Sequence, residues 1–271
     1  QSFQLKPLKM KNILLIVMCL FALMACKQES KTIDYKDVEL NISTTIYPET
    51  MSKILDAHGG IDAWNTMQQL YYEIEKPVVN DVYIVALKSR KSLIASEHHL
   101  LGFDGENVWL KNLDTVTYKS NPKFYYNLMF YFYAMPFVLG DDGINYSESE
   151  PLEFEGTTYP GVLISYEAGV GESPEDEYIL YYHPETYKME WLGYTVTYFS
   201  KEKGKEFHFI KYSDWQDVNG LLLPKTLSWY NYENNKPTTF RNDVNFVNVK
   251  LSKEVPNEDM FKVPDSTMIV K

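Results

Sequence analysis

Apolar positions along this chain first run together, then recur at helical spacing, then alternate. Ile13 to Ala25 is continuously apolar and follows Lys6, Lys9 and Lys11. Lys27 to about Ile46 is polar. Met51, Ile54, Leu55 and Ala57 then form a stripe at helical spacing, opened by Pro48 and Glu49 and broken at His58-Gly59-Gly60. Ile61 to Met67 predicts a short second helix. After Gln69 the period is that of strands: Leu70–Glu75, Val82–Ser89, Ser92–His98 and Asn107–Lys111, with a hairpin turn at Asp104-Gly105-Glu106-Asn107. Pro122 to Leu139 interrupts them with an almost wholly apolar, aromatic segment, which as a helix requires burial on most sides. Strands resume at Leu152–Phe154, Val162–Tyr166, Tyr178–His183, Met189–Phe199, Phe207–Trp215, Leu221–Tyr232 and Phe240–Leu251, with a hairpin at Asn219-Gly220. Val255 to Lys271 is a Pro-punctuated tail laid over the sheet.

This order predicts an α+β fold: one strongly curled antiparallel sheet of about 10–11 strands, with helices near the front and in the middle. The aromatic load, 22 Tyr, 14 Phe and 5 Trp, suits a sheet with a large hollow to fill. The Phe124–Leu139 segment has two readings, plain core that fills the hollow or a gate that leaves room for a ligand.

The run Ile13–Ala25 is shorter than the about 20 residues needed to cross a bilayer. With its basic start and small residues at the end it reads as a signal peptide, residues 1–25, of which 1–9 read as upstream read-through before Met10-Lys11. Leu23-Met24-Ala25-Cys26 resembles the lipobox of bacterial lipoproteins. That resemblance implies acylation of Cys26, a flexible tether over 26–46 and a domain over 47–271.

Removing residues 1–25 leaves 23 basic against 37 acidic residues, a formal charge of −14. Such a surface argues against nucleic acid as a partner and against charge-driven binding to anionic bilayers. With Cys19 in the leader and Cys26 acylated, the domain has no thiol for a disulfide, a thiolate metal site or a nucleophile. His58 at a helix end is read as a cation on the helix dipole rather than a base or ligand. His98 and His99, adjacent on a strand, point to opposite faces. His183 starts a turn, His208 sits in a strand, and no histidine pair has metalloprotease spacing. Asp141-Asp142 and the Glu172–Glu177 loop read as solvated acidic turns without calcium-loop spacing. No Gly-x-Ser-x-Gly or Walker loop is present. No catalytic residue, metal or cofactor is expected.

Met51 to Gly60 followed by Trp64, together with Trp215-Gln216-Asp217-Val218-Asn219-Gly220-Leu221-Leu222-Leu223-Pro224, resembles Bacteroidota-type lipoproteins related to the lipoprotein carrier and receptor group (LolA/LolB-like). The resemblance implies an incomplete β-barrel with helices plugging an apolar concave face. It implies a non-enzymatic, membrane-anchored protein that holds a lipid or acyl chain, in the cell envelope and most naturally on the outer membrane facing the periplasm, or else exposed at the surface. Candidate lining residues are Phe124, Tyr125, Leu128, Met129, Phe132, Met135, Trp109 and Trp191. The alternative is an accessory lipoprotein whose barrel is self-filled and whose outer face binds an envelope protein or glycan. An enzyme of another type is the third reading.

Overall fold

The computed structural model describes residues 47–166, 175–200, 204, 206–265 and 267–270. Cys26, the segments read as leader and tether, and residues 172–174 of the Glu172–Glu177 loop lie outside them. Two helices lead, α1 (Glu49–Ala57) and α2 (Ile61–Asn65). Five strands follow as a meander, β1 (Gln69–Ile74), β2 (Asp81–Ala86), β3 (Ser92–Ala95), β4 (His99–Phe103) and β5 (Val108–Asn112). After the aromatic segment a second meander runs β6 (Ile144–Phe154), β7 (Thr157–Tyr166), β8 (Tyr178–Tyr182), β9 (Met189–Tyr194), β10 (His208–Val218), β11 (Leu221–Glu233) and β12 (Lys236–Ser252). A short β13 (Met268–Ile269) adds to β5.

The thirteen strands among the described residues form one antiparallel sheet in the order β13-β5-β4-β3-β2-β1-β12-β11-β10-β9-β8-β7-β6. It is open and curled, with β13 and β6 at its edges, and the fold is that of an incomplete barrel. Pairing of β1 with β12 joins the two meanders, Leu70 opposite Leu251 and Ile74 opposite Phe246. Alternation puts Leu70, Tyr72 and Ile74 of β1 on the concave face, where they join Met51, Ile54 and Leu55 of α1.

The sheet has more strands than the sequence pattern predicted. Ile144 to Pro151 alternates polar and charged residues and reads as loop, yet it extends the edge strand β6, where charge and a bulge between Ser149 and Leu152 suit a solvent-facing edge. His99–Phe103 is a separate strand, and β12 begins at Lys236. Two-residue turns with both residues at positive φ make three of the hairpins: Glu155-Gly156, Asn219-Gly220 and Asn234-Asn235.

Trp109 and Trp191, expected at the hollow, lie on the other face of the sheet. Val108 and Leu110 face the core, so Trp109 between them must face outward. There it packs on Gly102, where any Cβ would stand 2.2 Å from the indole, and donates its Nε1–H to the Phe261 carbonyl at 3.0 Å. The tail is thereby pinned to the outside of the sheet, with the Phe261 ring fully buried. Trp191 belongs to a separate outer cluster with Phe154, Tyr181, Phe209 and Tyr230. Trp109→Phe removes the donor and part of the volume. We expect it to destabilise the fold by about 2 kcal/mol in urea unfolding, with earlier proteolysis after residue 255.

Candidate functional site

The aromatic segment is three short pieces rather than one helix. Asn121 caps α3 (Pro122–Tyr125), its side-chain oxygen accepting from the Lys123 and Phe124 amides at 3.0 and 3.3 Å. α4 (Leu128–Tyr133) follows, then a 3₁₀ turn at Phe137–Gly140. Short helices leave many carbonyls without internal partners. Tyrosines satisfy three of them: Tyr212 donates to Phe132 O at 2.7 Å, Tyr146 to Leu139 O at 2.6 Å and Tyr47 to Gly140 O at 2.7 Å. Part of the chain's tyrosine surplus thus plugs the barrel while keeping its backbone hydrogen-bonded.

The deep side of this plug is close-packed. Phe137 stacks on Trp64 with centroids 4.7 Å apart, Tyr133 on Phe246 at 4.1 Å, and Met135 is fully buried beside the Tyr212 hydroxyl. Its other side is open. A cavity of about 350 Å³ lies between the plug and the curled sheet. Phe124, Leu128 and Phe132 line it from the plug, Val85 and Ser92 from the first meander, and Tyr166 and Tyr178 from the second. Charge is confined to Arg90, Asp141, Asp142 and Asp176.

Arg90 sits in the β2–β3 turn at φ 58°. Its Nη2 donates to Asp141 Oδ2 at 2.5 Å and its guanidinium lies 5.2 Å from the Phe130 ring centre. Burial pushes the Asp141 carboxyl above its ordinary value, and Arg90 opposes that shift. Asp176 accepts from the Thr197 amide at 2.6 Å. These acids are therefore not the freely solvated turns that their sequence suggested. Burial also raises the Tyr166 and Tyr178 hydroxyls, which remain protonated hydrogen-bonding groups.

Of the residues named from sequence, Phe124, Leu128 and Phe132 reach the cavity. Tyr125 is 40% exposed at the surface, Met129 packs half-buried against the core, and Met135 lies on the filled side. Sequence reasoning missed Arg90, Ser92, Tyr166, Tyr178 and Tyr198. Arg90 is one of two arginines in the chain, which is the one signal it carried.

The histidines serve separate structural ends. His58 is buried, neutral and doubly hydrogen-bonded, not the helix-end cation expected. His98 Nδ1 meets Asp114 at 2.6 Å, His99 Nε2 donates to Val116 O at 2.8 Å, and His183 Nδ1 accepts from the Glu185 amide at 3.2 Å. His208 stacks on Tyr194. Among the described residues no three His, Cys, Asp or Glu side chains converge on a metal position, and no helix is long and apolar enough to cross a membrane.

Residues 9–251 match the model of a family described as a family of unknown function, DUF6503. The chain belongs to DUF6503. The match spans Cys26, the plug and every residue lining the cavity, and stops before Phe261 and β13. No curated protein matches this DUF6503 chain. Among solved structures it is similar to a DUF1329 family protein from Desulfovibrio piger, at 10% identity over 79% of this chain and 100% of that one, TM-score 0.44. It is also similar to a LolA superfamily protein from Nitrosomonas europaea, at 8% identity over 81% and 99%, TM-score 0.40. A third is the Mycobacterium tuberculosis lipoprotein LppX, at 9% identity over 55% and 88%, TM-score 0.25.

Proposed function

We propose that this chain is a non-enzymatic envelope lipoprotein, tethered through an acylated Cys26, that shelters a lipid or a single acyl chain in the hollow of its curled sheet. The observation that carries the proposal is the cavity of about 350 Å³ floored by Phe124, Leu128 and Phe132. Its volume stands at the lower end of the about 300–1,000 Å³ usual for ligand sites, which favours one chain over two. Each methylene buried there contributes about 0.8 kcal/mol, so uptake needs no covalent step. Tethering at the outer membrane, facing the periplasm, keeps the mouth near its source of ligand.

Native mass spectrometry of the purified chain, before and after organic extraction, tests this. The expected result is a bound mass that extraction removes and that fragments as a lipid. Leu128→Trp places an indole in the cavity, and bound lipid is expected to fall at least about tenfold. A clean mass that stays clean when lipids are offered means the hollow is filled by the protein's own side chains. The outer face and a partner protein or glycan would then take precedence.

A further inference from the structure

The chain enters its fold beside the cavity. Tyr47, where the described fold begins, donates its hydroxyl to Gly140 O at 2.7 Å. Its ring stands edge-on to Tyr146, with centroids 6.3 Å apart. Gly140 directly precedes Asp141 and Asp142, which line the cavity. Tyr146 lies two residues beyond Ile144, whose partner across the β6–β7 ladder is Tyr166, another lining residue. The junction with the preceding chain is thus fixed next to the cavity wall, and Pro48 and Glu49 on its other side are exposed.

Twenty residues, 27–46, separate that junction from Cys26. Fully extended they reach about 70 Å at most, so an acyl chain on Cys26 can return to the cavity beside which its own tether is fastened. The connecting segment is a poor occupant itself, since seven charged residues lie between Lys27 and Glu39. A ligand on a tether this short meets its own protein at an effective concentration on the order of millimolar. Free long-chain lipid is expelled from water and offers far less monomer than that. The hollow of about 350 Å³ suits one chain, with Phe124, Leu128 and Phe132 as its apolar wall. Resting on the lipid-binding reading above, we infer that the cavity shelters one acyl chain of the protein's own Cys26 anchor, which plugs the hollow whenever no bilayer holds it.

The test uses the full chain produced in cells fed a palmitate analogue with a terminal diazirine, purified in detergent and then freed of it. Mass spectrometry of the Cys26 peptide reads the label. Irradiation is expected to join that peptide to peptides containing Phe124, Leu128 or Phe132, in a product of single-chain mass. Leu128→Trp is expected to lower this yield at least about tenfold while Cys26 stays labelled, with the wild-type melting transition as the check on folding. If the variant does not fold, the wild-type map decides alone. Joined products of twice the chain mass, or a label quenched by water without reaching the cavity peptides, overturn the inference. An unlabelled Cys26 overturns it too, by removing the anchor. Native mass spectrometry of the same sample separates these failures from failure of the cavity reading. A foreign lipid in the hollow leaves that reading standing without the self-plug, and a hollow that holds neither the chain's own lipid nor any other sinks both.

Discussion

Gly59→Ala is expected to lower stability by more than about 3 kcal/mol, a fall in Tm of roughly 10 °C for a domain of this size. Gly59 stands at φ 106°, and a Cβ built there would lie 2.2 Å from the Gly220 carbonyl oxygen and 3.0 Å from the Leu221 Cα. Both obstacles are backbone, so no side chain can rotate away. The turn after α1 is pressed against the β10–β11 hairpin, and the Leu222 amide donates to His58 O across the contact at 2.8 Å. Gly60 is the control. Its φ of 90° is also left-handed, but the nearest atom to an added Cβ is Asp56 Oδ1 at 3.9 Å. Gly60→Ala should therefore cost only backbone strain, about 1–2 kcal/mol. Chemical denaturation of both variants decides the matter. Equal losses would show that close approach to the hairpin is not what Gly59 is for.

His58 carries the second large effect, and it depends on pH. Its ring is fully buried among Phe137 and Trp215. Nδ1–H donates to Ile54 O at 2.7 Å, which leaves Nε2 bare to accept from the Met189 amide at 3.3 Å. Burial lowers its pKa to about 4, with Lys188 adding to the shift and the bond to Ile54 opposing it. Between about 6.5 and 4 the unfolded chain therefore binds a proton that the folded chain refuses. The stability contributed by neutral His58 is complete above about 6.5 and is lost as pH falls through that window, to a total of about 3 kcal/mol.

Burial also holds the Asp81, Asp141 and Glu190 carboxyls above their ordinary values. The difference between wild type and His58→Phe isolates the histidine. At neutral pH the variant should be about 2–4 kcal/mol less stable, because the Met189 amide loses its acceptor. As pH drops toward 4 the two stability curves should converge. Urea unfolding across that range measures it, and parallel curves would mean that His58 titrates normally in the folded protein.

The two glycine-containing motifs on which the sequence resemblance rested turn out to touch, and that contact is their physical content. His58-Gly59-Gly60 and Asn219-Gly220-Leu221 lie far apart in the chain. Left-handed backbone at Gly59, Asn219 and Gly220 lets the two turns close on each other. The family-level pattern was legible because close backbone approach demands particular residues. The cavity was legible only in part, because Phe124, Leu128 and Phe132 are apolar in a segment where nearly everything is. Nothing local told them from Met135, which the same segment turns toward Tyr212.

What the sequence by itself determined were the local properties: the period-two runs that became strands, the Asp-Gly and Asn-Gly turns, the α+β order and the absence of a thiol in the domain. These follow from short-range rules of pleat and turn, which need no knowledge of the neighbours. Tertiary structure alone decided which face of a strand is inside, and so sent Trp109 and Trp191 to the outer face of the sheet, where both are buried. It also decided that β1 pairs with β12, joining residues far apart in the chain. His58 is neutral and Asp141 is paired with Arg90 for the same reason. Protonation depends on what surrounds a group after folding, and only the folded chain sets those surroundings.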